Sequence, residues 1–180
     1  MGKKLLILRL YKISKFFSSR KDTQMTNKLG PGSVFPKMAV NIVGGDPINL
    51  PDDLEGKYNV ILFYRGHWWP YCRRQLVGFE KIKDQLEERD IRVFAASVDP
   101  EDMAREVAQD VSFTIGYGAN EEHRDFMGSW WEERRGLIQP SEFIVNKEGK
   151  VVTSSYSSGP IGRIDAADVI KMIDFLEAQK

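Results

Sequence analysis

Cys72 is the one cysteine among 180 residues, and no other side chain here is as well suited to nucleophilic chemistry. It lies in the run Val60 to Leu76, VILFYRGHWWPYCRRQL. Val60 to Tyr64 is an apolar stretch too short for a helix, so it reads as a buried strand. Gly66 and Pro70 punctuate the chain after it, and Cys72 falls at or near the start of a helix. Unpaired backbone N–H groups and the helix dipole favour a thiolate there, the form of cysteine that attacks. The competing expectation is packing, because free cysteine is among the most buried residue types. His67 would supply a base if it met the thiol; the preferred reading is a turn histidine that shapes the loop. Arg65, directly after the strand, offers a cation. Arg73 and Arg74 add charge but are expected to point outward along the helix. Trp68 and Trp69 would either wall an apolar pocket or plug it.

Composition narrows the classes. Hydrophobic residues make up 42% and charged residues 29%, which fits one domain with a real core. The 26 basic and 26 acidic residues cancel, which argues against a general nucleic-acid binder. The first 24 residues are basic, with Lys3, Lys4, Arg9, Lys12, Lys15, Arg20 and Lys21 against Asp22. Residues 1–28 are expected to be a flexible extension ahead of a domain at 29–180. Weak contact of residues 1–24 with an anionic membrane surface, or organelle targeting, is the alternative. No apolar run approaches the roughly 18–20 residues of a membrane span. A single cysteine excludes an intramolecular disulfide, two histidines make a poor zinc site, and no cofactor or metal is expected. A reducing, cytoplasmic compartment is the default.

The elements that must position Cys72 can be read in order. Met38 to Val43 reads as an edge strand. The helix carrying Cys72 should run to about Arg89, with Leu76, Phe79, Ile82 and Leu86 on its inner face. Ile91 to Val98 is a second core strand. Asp99-Pro100 reads as a helix start with a capping Asp and Pro at the first helical position, and that helix should end near Gln109. Phe113 to Ile115 is a short strand and Asn120 to Met127 a short helix. The aromatic and charged run Trp130 to Arg135 reads as packing over a sheet edge or a dimer contact. Pro140 opens a strand at Glu142 to Asn146, Gly149 turns it, and Val151 to Tyr156 returns. Asp165 caps a last helix. Strand–helix–strand units imply a parallel sheet centre with right-handed crossovers. If Pro140 lies at the cysteine end of the sheet, the hairpin runs away from Cys72 and comes back. The loop SSGPIGR then returns to the cysteine end, and Arg163 approaches Cys72.

The order of elements, with W-x-P-Y-C leading from strand to helix, resembles the thioredoxin fold. The longer run F-Y-R-G-H-W-x-P-Y-C-R-R-Q-L is similar to the peroxiredoxin-like alkyl hydroperoxide reductase and thiol-specific antioxidant (AhpC/TSA) family, from about Leu29 to the C-terminus. The resemblance implies an α/β, thioredoxin-like fold, a central mixed β-sheet flanked by helices. It also implies a peroxidase in which a thiolate attacks a hydroperoxide and becomes a sulfenic acid. Members of this branch often carry W-C-P-Y-C, whereas this chain has Trp69 in place of the first cysteine. Aligned on the peroxiredoxin pattern P-x-x-x-T-x-x-C, Cys72 is peroxidatic, Trp69 replaces Thr and Arg65 replaces Pro. Aligned on the thioredoxin pattern C-x-x-C, the nucleophile is missing and Cys72 is its buried partner. The resemblance also makes Gln139–Pro140 a candidate cis bond facing the active-site turn. It pairs Pro160, Ile161, Gly162 and Arg163 with a P-x-G-R loop near the active site. A second family arginine, expected before the hairpin strand, is absent at Pro140, Ser141 and Glu142. The leading expectation is peroxide reduction by Cys72, assisted by Arg163 and Arg65, with Trp69, His67 and Pro140 around them. The reductant would be glutathione, a thioredoxin-type protein or another subunit, and a homodimer is one arrangement. The competing class is a non-catalytic, thioredoxin-like binding or scaffold domain.

Overall fold

The computed structural model describes residues 28–180; the basic segment 1–24 and its expected roles fall outside them. In chain order the strands are β1 (Met38–Ile42), β2 (Ile48–Leu50), β3 (Tyr58–Phe63), β4 (Ile91–Ala96), β5 (Thr114–Tyr117), β6 (Trp131–Glu132), β7 (Leu137–Ile138), β8 (Ser141–Asn146) and β9 (Val151–Tyr156). The helices are α1 (Pro70–Lys81), α2 (Lys83–Glu87), α3 (Glu101–Ala108), α4 (Glu121–Met127) and α5 (Ala166–Glu177). Seven strands form one mixed sheet in the order β2-β1-β5-β4-β3-β8-β9, and β6 pairs only with β7. β5, β4 and β3 are parallel neighbours, while β8 adds antiparallel to β3 and β9 antiparallel to β8.

Alternation along the central strands builds two apolar layers. Val60 and Leu62 of β3, with Val93 and Ala95 of β4, face one side. There they meet Cys72, Leu76 and Phe79 of α1, Val107 of α3 and Val169 and Ile173 of α5. Ile61 and Phe63, with Phe94 and Ala96, face the other side and meet Phe35, Met127 and Phe143. Both faces of β3 are therefore buried, which is why its sequence is continuously apolar rather than alternating.

Four local expectations are corrected. β1 is not an edge strand, because the short β2 pairs outside it. The cysteine helix does not run unbroken to Arg89: Ile82 leaves helical geometry at φ −114° and ψ 21°, and a separate short helix comes after it. Asp99 does not cap α3. Pro100 holds the N-cap position in extended geometry, because the Asp99 carboxylate is used by Ser97 and by the turn before α1. Gln139–Pro140 is trans; the cis X–Pro bond among the described residues is Leu50–Pro51. Gln139 N–H donates to Trp130 O at 2.8 Å and Ser157 N–H to Pro140 O at 2.9 Å, so the chain is pinned as it enters β8.

Candidate active site

The C-terminal ends of β3 and β4 lie side by side, since Phe63 pairs with Ala96 in parallel register. The residues after each strand therefore converge at one end of the sheet. Tyr64 to Trp69 come after β3, and Ser97 to Asp99 after β4. Asp99 organises the first turn. One carboxylate oxygen accepts the His67 N–H at 2.7 Å and the Ser97 hydroxyl at 2.8 Å, and the other meets His67 Nδ1 at 3.2 Å. The His67 ring is thus occupied by Asp99, in keeping with a turn histidine. Gly66 is needed at this bend: its φ is +156°, and a Cβ there would lie 2.7 Å from Trp68 Nε1 and 3.1 Å from Asp99 Oδ1.

The turn delivers Trp69 to the N-cap of α1 with no side-chain cap, Pro70 to its first turn, and Cys72 just behind. Pro fits there because its missing N–H would have had no helical partner. Cys72 faces the sheet and is fully buried, at 0% exposure. Trp69 packs against the same apolar layer, stacks on Tyr71 with ring centroids 5.6 Å apart, and donates its indole N–H to Pro160 O at 2.9 Å. The residue that departs from both family patterns therefore ties the turn to the P-x-G-R loop.

That loop returns to the cysteine end as the hairpin topology requires, with Tyr156 of β9 opposite Ser141 of β8 and Ser141 opposite Phe63. Arg163 Nη2 donates to Cys72 Sγ at 3.2 Å, and its Nη1 donates to Gly162 O at 2.7 Å. Its Nε is buried without a hydrogen-bond partner among the described residues. Arg65, by contrast, is committed elsewhere. It is buried, with Nη1 on Gln139 Oε1 and Nη2 on Glu132 Oε2, both at 2.8 Å, and its guanidinium lies 5.5 Å from the Trp69 ring centroid. It joins the end of β3 to the β6–β7 pair, where the expected aromatic patch turns out to be a small hairpin. Arg73 pairs with Asp110 and Arg74 lies over Tyr71, so both point outward as expected. Pro140 sits between Gln139 and Ser141 at the start of β8, and its carbonyl holds Ser157.

Two groups at this end escaped sequence reasoning. Glu142 is buried at 2% exposure and faces the cysteine-side layer between Ser141 and Phe143, which face the other way. It accepts Gln75 Nε2 at 2.7 Å and Ile164 N–H at 2.5 Å. Burial pushes its carboxyl up to about 7, against the opposing pull of Gln75, Ile164 and the Arg163 guanidinium. Only the position of Gln75 one helical turn after Cys72 hinted at a polar contact here. Tyr64 is also buried, and burial drives its phenol well above the usual range against the opposing pull of Ser97. Among the described residues no three His, Cys, Asp or Glu side chains gather as a metal site would require.

The arrangement is a thioredoxin-like strand–turn–helix whose buried thiol is met by a guanidinium from a distant loop. Residues 31–154 match the AhpC/TSA family, and the chain belongs to that family. It is an enzyme of the peroxiredoxin type. A peroxiredoxin of Methanothermobacter thermautotrophicus is 25% identical over 150 residues, covering 79% of this chain and 70% of that protein. The alkyl hydroperoxide reductase C of Mycolicibacterium smegmatis is 25% identical over 169 residues, covering 83% and 85%. The fold matches that of Mycobacterium tuberculosis AhpC with a TM-score of 0.71 at 22% identity, covering 85% of this chain and 96% of that one. A yeast mitochondrial 1-Cys peroxiredoxin, studied for its thiol resolving mechanism via glutathione/thioredoxin systems, matches with a TM-score of 0.73 at 19% identity, covering 83% and 77%.

Proposed function

We propose that the protein reduces hydroperoxides through Cys72 alone and is returned to the thiol by an external reductant. The observation that carries this reading is the 3.2 Å contact between Arg163 Nη2 and Cys72 Sγ. A guanidinium is always charged and offers several donors in fixed geometry. One donor is placed to partner the thiolate that must form for attack, and the Nε–H, unpartnered among the described residues, remains for a peroxide oxygen. The sulfur attacks the outer peroxide oxygen and the O–O bond breaks. The leaving alkoxide takes a proton and departs as alcohol, or as water from hydrogen peroxide, leaving Cys72 as sulfenic acid. One external thiol displaces water from the sulfenic acid to give a mixed disulfide. A second thiol then resolves it to free Cys72 and an external disulfide.

Full burial of the sulfur means that each reactant needs a local opening beside it. Residues 157–165 contain no helix or strand, so an opening next to Arg163 would disrupt no regular element. A groove of about 500 Å³ runs along this segment, between the loop and α1. Arg74, Lys81 and Arg163 line it against a single carboxylate, Asp165, and Arg74 and Lys81 have no carboxylate partner among the described residues. Such a surface suits an anionic low-mass thiol such as glutathione; a thioredoxin-type protein is the other reductant to test.

The test is to add hydrogen peroxide, trap sulfenic acid with dimedone, and map the adduct by mass spectrometry. The expected result is an adduct on Cys72, with peroxide consumption sustained by glutathione or thioredoxin and abolished in Cys72→Ser. Peroxide consumption that survives Cys72→Ser, or a wild-type protein that gives no adduct, overturns the reading. The second result would favour the binding-module class.

A further inference from the structure

Arg163 sits in a stretch with few restraints of its own. β9 ends at Tyr156 and α5 begins at Ala166, so residues 157–165 must be held from outside. Three side chains from outside the stretch, Trp69, Glu142 and Gln75, hold it close to Arg163. Trp69 Nε1 grips Pro160 O at 2.9 Å, and Glu142 Oε2 grips the Ile164 N–H, adjacent to Arg163 in sequence, at 2.5 Å. The second oxygen of Glu142 binds Gln75 Nε2 at 2.7 Å, and the same Gln75 nitrogen reaches Ile164 O at 3.1 Å. Gln75 is one turn along α1 from Cys72, so a closed network runs from the cysteine helix through the sheet to the arginine loop.

A buried carboxylate on a central strand is costly unless its oxygens are satisfied. Glu142 lies opposite Leu62 on β3 and Ser155 on β9, deep in the sheet. It interrupts the layer that includes Val60, Leu62 and Ile144. An apolar residue would continue that layer, but it would leave the Ile164 N–H and the Gln75 amide without this acceptor. What the carboxylate achieves is a fixed distance between two elements that carry the reacting groups.

We propose that Glu142 is a positioning residue that holds the Arg163 guanidinium on the Cys72 sulfur by bracing Ile164 against Gln75 of the cysteine helix. The assignment rests on Cys72 being the attacking thiol and Arg163 its partner. Glu142 need not touch the peroxide; it acts through Arg163. Its removal should therefore matter only while Arg163 is present, which separates positioning from general support of the fold.

The test measures the second-order rate of Cys72 sulfenic acid formation with hydrogen peroxide in wild type, Glu142→Ala, Glu142→Gln, Arg163→Ala and the Glu142→Ala/Arg163→Ala double variant. Glu142→Ala is expected to slow the reaction by about tenfold. Glu142→Gln, which keeps an acceptor for Ile164 N–H, is expected to recover most of the rate. In the Arg163→Ala background, Glu142→Ala is expected to change the rate by less than twofold. Full rate in Glu142→Ala, or losses that multiply in the double variant, overturns the proposal. Should circular dichroism show Glu142→Ala unfolded, Gln75→Ala removes the same brace from the helix side, and the same outcomes apply. A crystal structure of the folded variant gives a readout independent of turnover. Arg163 still within hydrogen-bond distance of Sγ overturns the proposal even if peroxide chemistry is absent, whereas a wild type without sulfenic acid sinks the peroxidase reading alone.

Discussion

At the scale of single residues, the buried thiol of Cys72 meets a charge that arrives from 91 positions away in sequence. The thiol, the arginine and the buried glutamate form one electrostatic group, and the glutamate gives it a pH signature. Gln75, Ile164 and Arg163 face Glu142, and burial raises its carboxyl from an ordinary 4.5 to about 7. A raised acid holds its proton more tightly in the folded state. Its stabilising contribution is complete below about pH 4.5 and is lost as the pH rises through about 7. The expected loss is about 3 kcal/mol across that window. The urea midpoint of wild type should therefore rise relative to that of Glu142→Gln, which has no carboxyl to titrate, as the pH is lowered from 8 to 5, and the two proteins should differ most above pH 7, where only the wild type carries a buried charge. Parallel pH profiles for the two proteins would show that the carboxyl titrates normally.

At the scale of elements, the turn between β3 and α1 is set by a residue outside it. Asp99 accepts the His67 backbone and the Ser97 hydroxyl, and its other oxygen meets the His67 ring. Asp99→Ala leaves those partners without a buried acceptor, which costs about 1–3 kcal/mol. Thermal denaturation should show the loss, and amide exchange at residues 65–69 should accelerate more than exchange in β4. An unchanged exchange pattern would mean that Gly66 and the packing of the tryptophans hold the turn without Asp99. The dipeptide Asp99-Pro100 carries a strong local signal for a helix cap. It is overridden because a carboxylate at the sheet's C-terminal end gains more from two contacts with His67 and one with the Ser97 hydroxyl than from one helical N–H. Trp69 likewise keeps the helix start expected of its position while taking up a hydrogen bond that no local rule specifies.

At the scale of the whole molecule, the sheet stands between two apolar layers, and the layer away from Cys72 fastens the start of the domain. Phe143 meets Phe35 edge-on at 5.2 Å and Tyr156 at 5.4 Å. The Tyr156 hydroxyl accepts Leu29 N–H at 2.9 Å and donates to Met127 O at 2.6 Å. Lys28 spans Gly128 O, the Trp130 ring and the Tyr156 ring. Phe143→Ala should cost about 3–5 kcal/mol, because a large buried ring leaves a cavity that strands cannot collapse around. Chemical denaturation measures it; a loss under about 1 kcal/mol would show that the Phe35 segment repacks into the space.

The amino-acid sequence by itself determined the strand–helix order, the parallel centre, the antiparallel return and the cysteine at a helix start. Those features are written in apolar runs, turn residues and spacing, which act over a few positions. It also tied Arg163 to the position of Pro140: if Pro140 lies at the cysteine end, the hairpin must bring its continuation back there. Tertiary structure alone decided which arginine meets the thiol. Arg65 is nearer in sequence, yet it is drawn into an ion pair with Glu132, while Arg163 reaches Sγ. It also decided the use of Glu142, whose place in an alternating strand is legible but whose partners come from a helix and a loop 67 and 22 positions distant. Local patterns record which face a residue presents. Which charge a buried group meets depends on how those faces are brought together.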